Sequence, residues 1–152
     1  MMRRLMIIIS WSWMLWMPGT LLAANCRITL NGSFAFGIYD PFNTAPVDIT
    51  AANFVSVTCK GNGAATIDLS TGNSGSYFPR TMSNGIDTLT YNLYTTANLT
   101  SVWGDGTGGT MDVSFPYQGN TTMSYSVYGR IPAQQDVTSG SYNDSIIITV
   151  TF

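Results

Sequence analysis

The last twelve residues, Ser141 to Phe152, read SYNDSIIITVTF. Ile146, Ile148, Val150 and Phe152 alternate with Ser145, Ile147, Thr149 and Thr151, the period-two pattern of a β-strand with one apolar face. Such a strand needs backbone partners along both edges, because an open edge is a template for aggregation. The sequence ends on this strand, so any further neighbour has to come from earlier in the chain or from another molecule. Each of the four apolar side chains would contribute about 1.5–3 kcal/mol if fully buried. A whole domain is held together by only about 5–15 kcal/mol. Leaving half of that surface uncovered therefore predicts a marginal monomer.

The same alternation recurs upstream. Cys26, Ile28 and Leu30 alternate with polar residues and predict a first strand, which Phe34 to Tyr39 continues after Gly32. Val55, Val57 and Cys59 predict a second strand, Ala65, Ile67 and Leu69 a third, and Leu89, Tyr91 and Leu93 a fourth. Met111, Val113 and Phe115 predict a short strand, and Met123, Tyr125 and Val127 a long one before the last. KGNG, STGNSGSYFPR, WGDGTGG and YGRIPAQQ lie between them and carry turn chemistry. Glu is absent and good helix formers are few, whereas Thr, Val, Ile, Tyr, Gly and Asn abound. These features predict an all-β, immunoglobulin-like β-sandwich that is incomplete, lacking its last strand.

The N-terminus reads differently. Arg3 and Arg4 precede an apolar run from Leu5 to Trp16, broken at Pro18 and Gly19 and followed by Ala23 and Ala24. That predicts a signal peptide over residues 1–24 and a mature domain over 25–152. The run is too short to span a bilayer, which takes about 20 residues. No stable membrane insertion is expected after cleavage. Of the six Lys and Arg residues in the chain, two leave with the leader, and 4 − 8 gives the mature domain a charge of −4. An acidic surface with scattered cations has no electrostatic footprint for nucleic acid. Cys26 and Cys59 are the only two cysteines, and both lie in the apolar phase of their strands. In an exported chain they read as a disulfide closing a loop of about 34 residues, a constraint of ~3.5–4 kcal/mol in the chain-entropy model. A metal or redox pair is disfavoured by the absence of a CxxC spacing and of histidine.

Seven stretches carry a family resemblance when taken in order. They are FGIYDP, VTCKG, STGNSGSYFPRTM, LTYNLY, VWGDGTGGT, YSVYGRIPA and YNDSIIITVTF, and together they cover nearly all of the mature chain. In this order they resemble the spore coat protein U domain family, which includes subunits of archaic (Csu-type) chaperone–usher pili. The resemblance implies a non-catalytic structural subunit of a secreted surface fibre or coat. It further implies assembly by donor-strand complementation, a form of β-augmentation. The implied groove is bordered by Ile28 and Leu30 and by Ile146, Ile148, Val150 and Phe152. The implied partners are a periplasmic chaperone, an outer-membrane usher and other pilus or coat subunits, with transit through the periplasm to the cell surface. Two departures stand out. Gln134 occupies a position where the family usually has Gly, so a different turn is expected after Pro132. Only Asn25 precedes Cys26 if cleavage follows Ala24, so the chain is expected to accept a strand without donating one, at an end or tip of a fibre. The alternative is a stand-alone adhesin or coat protein that completes its own fold.

Other chemistries find little support. Without His or Glu the usual general bases are missing, so no catalytic residue and no cofactor is expected. Asp105 and Asp112 flank a Gly-rich stretch with the composition of a Ca²⁺ loop, but Asx-turns in a hairpin explain them equally well, and no metal is expected. Trp103, Tyr77 and Phe78 are read as loop anchors rather than as a sugar-stacking surface.

Overall fold

The structure is a computed structural model and describes residues 24–152; the expected leader lies almost wholly outside them. Its spine is a ribbon of two long antiparallel strands, β2 (Val47–Leu69) and β5 (Val113–Ile131). Their register runs from Val47 opposite Ile131 to Ile67 opposite Val113, with one bulge between Ala51 and Val55. The remaining strands are β1 (Asn25–Leu30), β3 (Arg80–Ser83), β4 (Thr88–Tyr94) and β6 (Ile148–Thr151). The order across the sheet is β1-β2-β5-β4-β3, with β6 also on β2. The sheet curls around one core that includes Val55, Val57, Ile67, Leu93, Trp103, Phe115 and Val127.

Three sequence expectations are corrected. The second and third strands are a single strand, because KGNG does not turn. Gly61 and Gly63 pair with Gly119 and Tyr117, so two glycine-containing stretches face each other in the ladder. Gly61 and Gly119 have positive φ (99° and 70°), which bends the ribbon without reversing it. The Tyr117 hydroxyl lies where a side chain on Gly63 would begin, 2.8 Å from its Cβ position. The short strand at Met111 likewise merges with the next long one to make β5, and Met111 itself only bridges to Trp103. Finally, residues 34–39 do not continue β1 but leave the sheet altogether.

β1 and β6 lie end to end on the edge of β2 that β5 does not occupy. β1 pairs with Val55–Lys60 and β6 with Thr66–Leu69. Cys26 and Cys59 are direct register partners, and their sulfurs are bonded at 1.99 Å. The last strand is shorter than its alternation predicts: Ile146 precedes it, and Phe152 lies beyond it, 54% exposed. Its ladder stops at Thr66, opposite Thr151.

A fully buried cation, Arg80, ties the loop region to the ribbon. Its Nε and Nη2 donate to the Ser70 carbonyl (3.0 and 2.8 Å), Nη2 to the Trp103 carbonyl (2.6 Å) and Nη1 to Asn92 Oδ1 (2.8 Å). The guanidinium also lies 5.0 Å from the Tyr77 ring centroid. Burial lowers its affinity for a proton, and the surrounding oxygens stand in for a carboxylate. Arg80→Ala is expected to strand those acceptors and cost about 3–5 kcal/mol in urea unfolding. Arg80→Lys should recover little of this, because an ammonium cannot reproduce the planar fork.

Candidate functional site

A cleft of about 770 Å³ opens between the last strand and the segment that follows β1. Its floor includes Leu69 of β2, Leu89 and Leu93 of β4, and Val127 and Ile131 of β5. The first wall is the extended segment 34–39. Phe34 packs edge-on against Phe36 (5.5 Å between centroids) and Phe54 (5.8 Å), and Phe36 against Tyr91 (5.7 Å). Both rings lie over Gly129, where a Cβ would come within 2.8 Å of Phe36. The second wall, residues 137–148, turns Val137, Tyr142, Ile146 and Ile148 toward the cleft.

The walls meet at one end. The Tyr39 hydroxyl donates to the Pro132 carbonyl (3.1 Å) and accepts from the Gln135 N–H (2.7 Å). Away from that junction the backbones are largely unpaired. Among the described residues, 32–39 make no backbone–backbone hydrogen bond, and in 132–147 only Asn143 and Ile147 do. Backbone groups outside a ladder are satisfied by side chains, by water or by an incoming chain, and in the second wall side chains take several of them. The cleft thus offers a largely apolar floor between two segments that, among the described residues, carry almost no backbone ladder.

Side chains hold the second wall in place of a ladder. Asp144 accepts from the Tyr91 hydroxyl (2.5 Å) and from the Asn73 N–H (2.7 Å), and a side chain on Gly72 would overlap its carboxylate. Burial, then the hydrogen bond and charge of Asp144, push the Tyr91 hydroxyl far up, so it stays a donor. Asp87 accepts from the Thr138 N–H at 2.9 Å, and the Thr138 side chain, then this N–H, hold its carboxyl below the usual range. The Gln135 amide bonds both the N–H and the carbonyl of Thr90 (2.8 and 2.9 Å), continuing the sheet where Pro132 cannot donate. Gln134 adopts φ of 58°, the left-handed conformation that Gly favours, so the turn expected to differ keeps a glycine-like backbone.

Of the six residues expected to border a groove, Leu30, Ile146 and Ile148 line the cleft. Ile28 and Val150 pack against the core instead, and Phe152 is exposed. The sequence reading missed Phe34, Phe36 and Tyr39 as a wall. Their alternation in SFAFGIY was visible, but it reads equally as a continuation of β1.

Elsewhere, Trp103 is fully buried and donates to the Ile67 carbonyl (3.1 Å), and the Tyr77 hydroxyl donates to the Leu69 carbonyl (3.0 Å), whereas Phe78 is exposed. Asp105 Oδ1 accepts from the Thr107 N–H (3.0 Å) and hydroxyl (2.7 Å), closing an Asx-turn. Among the described residues, no group of three or more His, Cys, Asp or Glu side chains is placed to hold a metal ion.

A family model described as Spore Coat Protein U domain matches residues 19–149. Protein U of Myxococcus xanthus is 35% identical over an alignment of 133 residues that covers 80% of this chain and 72% of that protein. Among solved structures, a chain of the CsuC–CsuE chaperone–tip adhesion subunit pre-assembly complex, from archaic chaperone–usher Csu pili of Acinetobacter baumannii, is similar with a TM-score of 0.60. Sequence identity there is 21%, and the match covers 86% of this chain but 40% of that one. The likeness is one of fold.

The left-handed Gln134 generates a prediction. Gln134→Gly should relieve a conformation costing about 1–2 kcal/mol, offset in part by the greater freedom of glycine in the unfolded chain. The expected result is a gain of about 0.5–1 kcal/mol in urea unfolding.

Proposed function

The chain belongs to the Spore Coat Protein U domain family, and on that premise we propose that it is a non-catalytic structural subunit of a secreted surface fibre or coat, completed by a β-strand from another chain. The observation that carries this reading is the cleft, with its largely apolar floor between segments that, among the described residues, make almost no backbone–backbone hydrogen bonds. Strand addition would satisfy both edges and cover the floor in one step. In this reading the chain is exported after removal of residues 1–24, held by a periplasmic chaperone, and passed through an outer-membrane usher to other subunits. The Cys26–Cys59 bond supports an exchange confined to the cleft, because it ties β1 covalently to β2.

A second reading, a stand-alone secreted adhesin or coat protein, is favoured by a different observation. Leu69, Leu89, Leu93, Val127 and Ile131 are each no more than 5% exposed even with the cleft open.

Thermal unfolding of the purified chain with a peptide of alternating valine and threonine separates the two. At about 100 times its Kd, a bound strand adds about 2.7 kcal/mol, or roughly 10 °C in Tm for a domain of this size. Leu30→Asp places a charge on the cleft wall and should remove the rise. Phe152→Asp lies outside the cleft and should keep it. A sharp, concentration-independent transition that the peptide does not move would establish the stand-alone reading.

A further inference from the structure

The outer face of the sheet, away from the core and the cleft, carries a depression of its own. On β1, Asn25 and Arg27 alternate with Cys26 and Ile28, which pack on the core, so their side chains project outward. On β2, Thr58 and Lys60 flank the buried Cys59 and project to the same side. The register sets Asn25 opposite Lys60 and Arg27 opposite Thr58. Arg27 and Lys60 are therefore diagonal neighbours, with backbones about 7–8 Å apart and long side chains that reach a common point. These four residues line a depression of about 390 Å³.

The lining suits an anion. Each of its four side chains can donate a hydrogen bond, and none is a carboxylate, in a chain that carries eight acidic residues. Its two cations are the ones that the described fold leaves uncommitted. Arg80 is buried among carbonyls, and Arg130 is held by Asp48 through two bonds of 2.6 Å. That pair is the one salt bridge among the described residues, so no acid neutralises Arg27 or Lys60. Two like charges this close repel, and an anion seated between them relieves the repulsion. Removal of residues 1–24, as proposed above, would add the α-ammonium of Asn25 to the same lining.

We propose that this depression binds an acidic polysaccharide, with Arg27 and Lys60 holding a sulfate or carboxylate and Asn25 and Thr58 bonding the adjoining sugar hydroxyls. The neighbouring surface favours a sugar over other polyanions. Beside Thr58 lie Ser56, Thr122 and Ser124, whose hydroxyls pair across β2 and β5 as Ser56–Ser124 (2.8 Å) and Thr58–Thr122 (2.9 Å). These side chains offer hydrogen bonds to a polyhydroxylated ring. They offer neither an aromatic ring to stack a nucleic-acid base nor an alkyl chain to enter a lipid layer. Leu30, in the inward phase of β1, lines the cleft, whereas Arg27 faces the opposite way. The site therefore stays accessible when a strand fills the cleft, and it stands or falls independently of strand addition.

The test is fluorescence anisotropy of the purified chain with labelled short fragments of dextran sulfate, of polygalacturonate and of neutral dextran. A DNA duplex and phosphatidylglycerol vesicles serve as competitors. At about 0.1 M salt, where charges act over ~10 Å, at least one charged fragment should bind and the neutral one should not. Arg27→Gln with Lys60→Gln should weaken that binding about tenfold. Both side chains are exposed, so this double variant is expected to fold. Thr88→Glu with Ser141→Glu changes the net charge equally, on β4 and the second wall, and should weaken binding less than twofold. At about 1 M salt, where screening acts within ~3 Å, binding should be lost. A preference for the sulfated or the carboxylated fragment supports the site and identifies its anion. Failure of both charged fragments, or an equal loss in the two double variants, would overturn the site. Competition by the duplex or the vesicles as strong as that of the unlabelled charged fragment would overturn its assignment to a polysaccharide.

Discussion

The pairing of β2 with β5 is the interaction on which the rest of the molecule depends. It joins residues 47–67 to residues 113–131 in one antiparallel ladder with a single register shift between Ala51 and Val55, so contacts remote in sequence are settled together. Because side chains alternate strictly, a slip of one residue would turn Val55, Val57, Ile67 and Phe115 out of the core together. The register is held by the inward apolar faces and, outside, by paired hydroxyls such as Ser56–Ser124 (2.8 Å) and Thr58–Thr122 (2.9 Å). The glycines at 61 and 119 let this long ribbon bend around its own core. Both β1 and β6 are then laid along the same edge of β2.

Polar groups are treated in two opposite ways. Around Arg80 each guanidinium nitrogen has an acceptor, and Asn92, which accepts from it, also donates to the Tyr77 carbonyl at 2.7 Å. That region is rigid because each bond is made in a medium where losing it is expensive. Along the cleft the reverse holds: residues 32–39 belong to no strand, bend at Gly32 and Gly37, carry two inward aromatic rings, and make no backbone–backbone hydrogen bond among the described residues. The second wall is anchored at intervals, through Gln135, Thr138, Asn143, Asp144 and Ile147, rather than along its length. A wall pinned at points and open between them can receive a strand without first breaking a ladder.

This division explains how one domain can be stable enough to persist and yet receptive. The disulfide and the buried Arg80 network lie away from the cleft mouth and hold the sheet. Phe34 and Phe36 shield the floor from water while leaving a space too large for a packed interior. The likeness of fold to a pilus tip subunit places the chain among domains with this architecture, and the family match covers nearly all of the described residues.

The sequence by itself determined the all-β class, the inward phase of Cys26 and Cys59, and the apolar face of the terminal strand at Ile148 and Val150. Each follows from period-two alternation, a local consequence of extended backbone geometry. Only the tertiary structure decided that KGNG continues a strand, because glycine permits a turn and a bend equally and the facing residues of β5 select the bend. It also decided that Phe34 and Phe36 form a wall: alternation shows which residues share a face but not which surface that face meets. Arg80 was read as one of four cations in the mature chain, and nothing in its neighbours along the sequence marks it as buried. Its acceptors come from Ser70, Asn92 and Trp103, three separate segments. Likewise, the Tyr39–Gln135 contact spans 96 residues, and no local pattern records where two distant segments will meet.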